Sequence, residues 1–134
     1  MIVLDTHAWI WFVSNPELLS ERARDAIDHA LKNKGLFISS ISAWEIALLV
    51  AKKRLTLTMS ANDWIEKSEM LHFMNFISVD NSIAVKSVNL PPPIHSDPAD
   101  RIIIATSMTM GYPLITKDEK ILNYPQVQHF GQFL

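Results

Sequence analysis

Cysteine is absent from the 134 residues, which excludes a disulfide framework and any zinc site built on thiolates. No apolar run reaches the roughly 18–20 residues that a membrane-spanning helix needs. The first residues, MIVLDTHAW, have no basic leader and an acid at position five, so a secretion signal is not expected and a soluble, cytoplasmic protein is. Repeats, low-complexity segments and linkers are also lacking. The one proline cluster, Pro91–Pro93, is too short to separate domains, so a single domain over 1–134 is expected. Nor is there an excess of basic charge: 12 Lys and Arg stand against 14 Asp and Glu, a net −2. Taken alone, this argues against a nucleic-acid partner. About half of the chain, 49%, is apolar, which rules out disorder and is enough for a compact core.

The apolar residues fall into short buried runs alternating with helical patterns. Ile2-Val3-Leu4 reads as a strand ending at Asp5, followed by a short apolar helix from Thr6 to Val13. Asn15-Pro16 breaks that helix. Leu18, Leu19, Ala23, Ala26, Ile27, Ala30 and Leu31 predict a helix from about Glu17 to Lys32, ended by Gly35. Leu36–Ile38 predicts a second strand, Ser42 a cap for a helix to Lys53, and Ser60 a cap for a helix to about His72. Phe76–Val79 predicts a third strand closed by Asp80, then a helix through Val88. Asp97-Pro98 predicts the start of a helix that Gly111 stops. Pro113–Thr116 predicts a fourth strand and Val127–Phe130 an edge strand. The expected class is α/β: a mostly parallel central sheet of four to five strands, flanked by helices on both faces.

Ligands in open α/β sheets bind beyond the carboxyl ends of the strands. Four acids fall there. Asp5 directly follows the first strand, Asp118 lies just past the fourth, and Glu45 and Asp100 open helices whose starts share that edge. Each has a plainer explanation. Ser42-Ala-Trp-Glu45 fits a capping box, Asp100 suits a helix N-terminus, and Asp5 and Asp118 suit turns. Asp80, before a helix, reads as a cap. One shared cause accounts for the four better than four separate ones. Carboxylates gathered closely repel, so they protonate or hold a cation, and hard oxygen ligands select Mg2+ or Mn2+. A carboxylate-held divalent ion suits phosphodiester hydrolysis and needs no covalent nucleophile. With the four acids counted as ligands, the rest of the chain carries +2 and a polyanionic substrate becomes admissible. Lys52-Lys53-Arg54, Arg101, Lys117 and Lys120 can then meet phosphates, with Arg101 and Lys117 favoured because they adjoin the acids.

These motifs resemble the PIN-domain family, most closely its compact VapC-like toxin ribonucleases, and the resemblance covers nearly the whole chain. Ile-Val-Leu-Asp5-Thr6, Ser-Ala-Trp-Glu45-Ile, Asp100-Arg-Ile-Ile-Ile-Ala-Thr106 and Leu-Ile-Thr116-Lys-Asp118 occur in the family's order. The resemblance implies a Mg2+- or Mn2+-dependent endoribonuclease in which Asp5, Glu45, Asp100 and Asp118 hold the ion and water attacks an RNA phosphate. It implies supporting places for Thr6 and Thr116. It also implies a homodimer and a small cognate antitoxin that covers the active-site groove. Asp97 competes with Asp100 for the third acid position. The offset to Ala105 and Thr106 favours Asp100 and leaves Asp97 as cap and supporting group. His7 and His95 adjoin the acids without an assigned role. Trp9, Trp11 and Phe12 are candidates for the partner groove, or for the core.

Other classes stay open on the sequence. A receiver-like signalling module would use Asp80 as phosphoryl acceptor with Thr116 and Lys117. A haloacid-dehalogenase-like phosphatase would want an aspartate where His7 stands. A noncatalytic module would use the acids only as caps, and other PIN-like nucleases process RNA without acting as toxins.

Overall fold

The structure, a computed structural model, describes residues 1–93, 97–127 and 129–130, the last two as backbone. Runs too short for a helix form the strands: β1 (Ile2–Leu4), β2 (Leu36–Ser39), β3 (Met74–Ile77), β4 (Leu114–Ile115) and β5 (His129–Phe130). They build one sheet in the order β3-β2-β1-β4-β5, and every pairing is parallel. Val3 pairs with Phe37 on one side and Leu114 on the other. The chain therefore works outward from β1 to β3, then crosses back to add β4 and β5. The reversal lies between β1 and β4, where an open sheet leaves a crevice at its carboxyl edge.

Alternation along the strands divides the core. Leu4, Leu36, Ile38 and Ile115 face one layer, built from α1 (Thr6–Ser14), α2 (Glu21–Lys32), α3 (Ile41–Ala51) and α4 (Ala61–Glu69). Val3 and Leu114 face the other, where α6 (Pro98–Met110) and α7 (Glu119–Leu122) supply Ile103, Ile104 and Ile121. α5 (Asn81–Val88) packs on α6.

Several boundaries depart from expectation for identifiable reasons. The helix expected from Glu17 is a 3-10 turn over Pro16–Leu18, then α2, whose start is set by Ser20 accepting from the Ala23 N–H at 3.0 Å. Gly35 does not end α2 through a left-handed backbone. Lys34 adopts that conformation at φ 51°, and a Cβ at Gly35 would sit 2.8 Å from Met1 Cγ, so the Met1 side chain would have to shift to admit one. Gly111 does end α6 at φ 71°. Ser42 is not a cap. α3 begins at Ile41, Ser40 flanks it without a side-chain cap bond, and Ser42 is buried inside the first turn. α4 stops at Glu69, short of His72. β3 begins two residues early, because the Asn75 amide donates to the Lys34 and Leu36 carbonyls at 3.0 Å each and ties that segment to β2.

The tryptophans also sort themselves. Trp9 is fully buried against Trp64 and Phe76, so it belongs to the core and not to a partner groove. Trp11 and Phe12 are half-buried, and Phe12 packs on Phe73. Trp44 is the exposed one.

Candidate active site

Asp5 leaves β1 with its N–H donating to the Ile115 carbonyl of β4 at 3.0 Å, so its position is set by the sheet. Its carboxylate is buried and used on both sides. Oδ1 accepts from the Ala8 N–H at 2.8 Å and caps α1, while Oδ2 accepts from the Thr116 hydroxyl. That hydroxyl also accepts from the Asp118 N–H at 3.0 Å, so one threonine joins the exits of β1 and β4. Asp118 in turn caps α7, accepting from the Lys120 N–H at 2.9 Å. Replacing Thr116 with valine keeps the shape and leaves two polar groups unpaired, a loss of about 1–3 kcal/mol in chemical denaturation.

Glu45 approaches from α3. The Thr6 hydroxyl donates to Glu45 Oε1 and shares a 2.9 Å hydrogen bond with the Ser42 hydroxyl. The capping-box spacing of Ser42 and Glu45 thus serves a different end: both side chains converge on Thr6 at the first turn of α1. Sequence reasoning missed Ser42 in this role. Its only signal was its place three residues before the acid. Asp97 caps α6, with Oδ1 accepting from the Asp100 N–H at 3.1 Å. Carboxylate oxygens of Glu45, Asp97 and Asp100 lie within 4.8 Å of one another.

Together Asp5, Thr6, His7, Glu45, Asp97, Asp100, Lys117 and Asp118 line one crevice of about 280 Å³. The four acids singled out from sequence meet there, and Asp97 joins them. Lys117 brings a cation to the rim, its ammonium 4.8 Å from the centre of the Trp11 ring. Arg101 does not line the crevice. Its guanidinium donates to the Ser87 and Val88 carbonyls at 2.9 and 3.0 Å, closing the C-terminal end of α5. Asp80 is exposed and caps α5 through the Ile83 N–H at 2.8 Å, outside the crevice, so a receiver-like arrangement lacks its acceptor. His95 lies outside the described residues.

The acids disturb one another. Burial first, then the charges of Asp97, Glu45, Asp118 and Asp5, push Asp100 up to about 8. Burial pushes Asp5 up to about 6; the Thr116 and Ala8 hydrogen bonds oppose the rise, and the Glu45 and Asp118 charges add to it. Glu45 is raised by burial, against its Thr6 bond and with the Asp97 and Asp118 charges. His7 is lowered by burial and then by Lys117, with Asp118 opposing. Burial and neighbouring negative charge thus favour the protonated forms of Asp5, Glu45 and Asp100 unless a cation compensates them. The carboxylate oxygens of Glu45, Asp97 and Asp100 are hard donors, a set suited to a divalent cation.

Residues 2–127 match the family model of the PIN domain. The chain belongs to the PIN domain family. Among curated relatives this PIN domain is 32% identical over 123 residues to Ribonuclease VapC22 of Mycobacterium tuberculosis, covering 92% of this chain and 91% of that one. Its fold is shared with a chain of VapBC2 from Rickettsia felis, solved bound to a promoter DNA fragment. There the TM-score is 0.71 at 16% identity, over 98% of each chain. A chain of a toxin–antitoxin complex from Klebsiella pneumoniae matches with a TM-score of 0.65 at 22% identity, over 95% of each. The sheet, expected from the sequence as mostly parallel with four to five strands, has five, all parallel, and is a PIN domain's; the acids line a crevice at its carboxyl edge.

Proposed function

We propose that this PIN domain is a Mg2+- or Mn2+-dependent endoribonuclease, the toxin of a toxin–antitoxin pair. The reading rests on one observation above all: Asp5, Glu45, Asp100 and Asp118, far apart in sequence, line a single crevice, a gathering of negative charge that a hard cation would offset. The 32% identity to a protein named as a ribonuclease supports RNA as substrate, and the fold shared with toxin–antitoxin assemblies supports a small antitoxin partner. A homodimer in the cytoplasm completes the proposal, with the whole of 1–134 acting as one nuclease domain.

In this reading the four acids hold the cation and Asp97 assists beside Glu45 and Asp100. Bound there, the ion supplies Lewis acidity that makes water nucleophilic near neutral pH and offsets charge at the phosphate. Thr116 and Thr6 keep Asp5 and Glu45 in place. Lys117, over Trp11, draws a phosphate oxygen to the rim and offsets the acids' repulsion of the substrate. Arg101 has no role in it, since its guanidinium closes α5.

Incubation of the protein with total RNA tests this. Internal cuts are expected with Mg2+ or Mn2+ and none with EDTA. RNA left intact under every metal condition would overturn the reading.

A further inference from the structure

Two features of α3 remain unused by the nuclease reading. The first is its outward face. Trp44 is 54% exposed and immediately precedes Glu45 of the crevice, and Ala47 and Ala51 continue the exposed stripe along the helix. The indole offers a solvent-facing aromatic surface on which a flat partner can stack. The second is the end of the helix. Lys52, Lys53 and Arg54 are all exposed. The turn is closed by backbone bonds alone, Lys53 N–H to Val50 O at 3.0 Å and Arg54 N–H to Leu49 O at 2.9 Å. Lys53 sits at its centre at φ 59°, a left-handed position where glycine is favoured. A lysine there places charge at the expense of backbone ease.

Trp44 and Lys52 are eight residues apart, about 12 Å along the helix. One end of this track lies one residue along α3 from Glu45, which lines the acidic crevice, and the other end is cationic. The crevice itself repels a polyanion, so attraction for a nucleic-acid strand has to come from its surroundings. Aromatic faces beside cations are how proteins hold single strands without reading sequence.

We propose that the outer face of α3 is the path of single-stranded RNA flanking the cleaved phosphate, with Trp44 stacking on a base and Lys52, Lys53 and Arg54 meeting the phosphates beyond it. The proposal rests on the nuclease reading. It takes RNA, and not a second copy of the chain, as the occupant because the track ends in three exposed positive charges, which suit a polyanion, and starts one residue from Glu45 of the crevice.

The test is binding of a fluorescein-labelled, mixed-sequence RNA 12-mer to the full chain in Mg2+, in an Asp100→Asn background so that the RNA stays whole. Adding Trp44→Ala is expected to weaken binding about five- to a hundredfold, the range of one lost stacked base, while Trp44→Phe retains most of it. Replacing Lys52, Lys53 and Arg54 together by serine is expected to reduce the slope of log K against log salt by about 2. Lys53→Gly alone is expected to raise Tm and weaken binding, a split that a merely structural lysine would not produce. Unchanged affinity in Trp44→Ala, or an unchanged salt slope in the triple variant, overturns the path. So does conversion of a dimer to a monomer by Trp44→Ala in light scattering, which would make this face a subunit seam. RNA bound with these dependences but left uncut by the wild-type chain would sink the nuclease reading and leave the path standing.

Discussion

Replacing Asp100 with asparagine is expected to lower RNA cleavage by roughly a thousandfold, the scale of losing one group that stabilises charge at the reacting centre. The same change is expected to make the metal-free protein more stable, raising Tm at pH 8 in EDTA on the order of 5 °C. Both effects have one cause. Burial first, then the charges of Asp97, Glu45, Asp118 and Asp5, raise the Asp100 pKa, so without a cation its charge is a source of strain. Asparagine keeps the shape and removes the charge. The opposite signs matter, because a residue retained only to cap or pack loses stability when replaced. Thermal melts in EDTA and cleavage assays in Mn2+ read the two effects separately. A fall in both would show that Asp100 is structural.

The metal-free protein is also expected to lose stability as pH rises from about 4 to about 8, unlike most proteins of ordinary carboxylate content. The ordinary aspartate value is 3.8, against about 6 for Asp5 and about 8 for Asp100 in the fold. Between these values the folded chain binds more protons than the unfolded chain, so stability falls with pH. It is fully present below about pH 4. The Asp5 share is lost through about 6 and the Asp100 share through about 8. His7 acts in the opposite sense around its ordinary 6.5, which leaves the interval above pH 7 to Asp100. A divalent ion at a hundred times its Kd adds about 2.7 kcal/mol and flattens the profile. Denaturation midpoints in EDTA and in Mg2+ across this range check it. Superimposable curves would mean that the acids hold no cation.

Much of this was legible in the residue order, and the reason differs from element to element. Ile2–Leu4 and Leu36–Ser39 are short, buried and bounded by polar residues, so local pattern is enough to find them. Asp80 and Asp97 are caps because an aspartate before a helix satisfies the nearest free N–H, again a local matter. What failed depended on distant contacts. Asn75 joins β3 because of carbonyls about forty residues away. Ser42 gives up capping because Thr6 of α1 lies beside it. Arg101 turns from the crevice because the end of α5 comes within reach. Trp9 and Trp44 have the same side chain and opposite burial, which only the packing of α1 and α3 decides. The convergence of the acids was readable because a parallel sheet places every strand exit and every following helix start on one edge.

The threonine that ties the exits of β1 and β4 together has a further consequence. The acidic crevice is anchored to the interior strands β1 and β4, whereas Trp44 and the Lys52–Arg54 turn are exposed and lie outside that anchorage. If the proposed function and strand path hold, substitutions in those outer regions would alter which strand is gripped without disturbing the anchored acids, so choice of target and capacity to cut could diverge independently in descendants of such a chain.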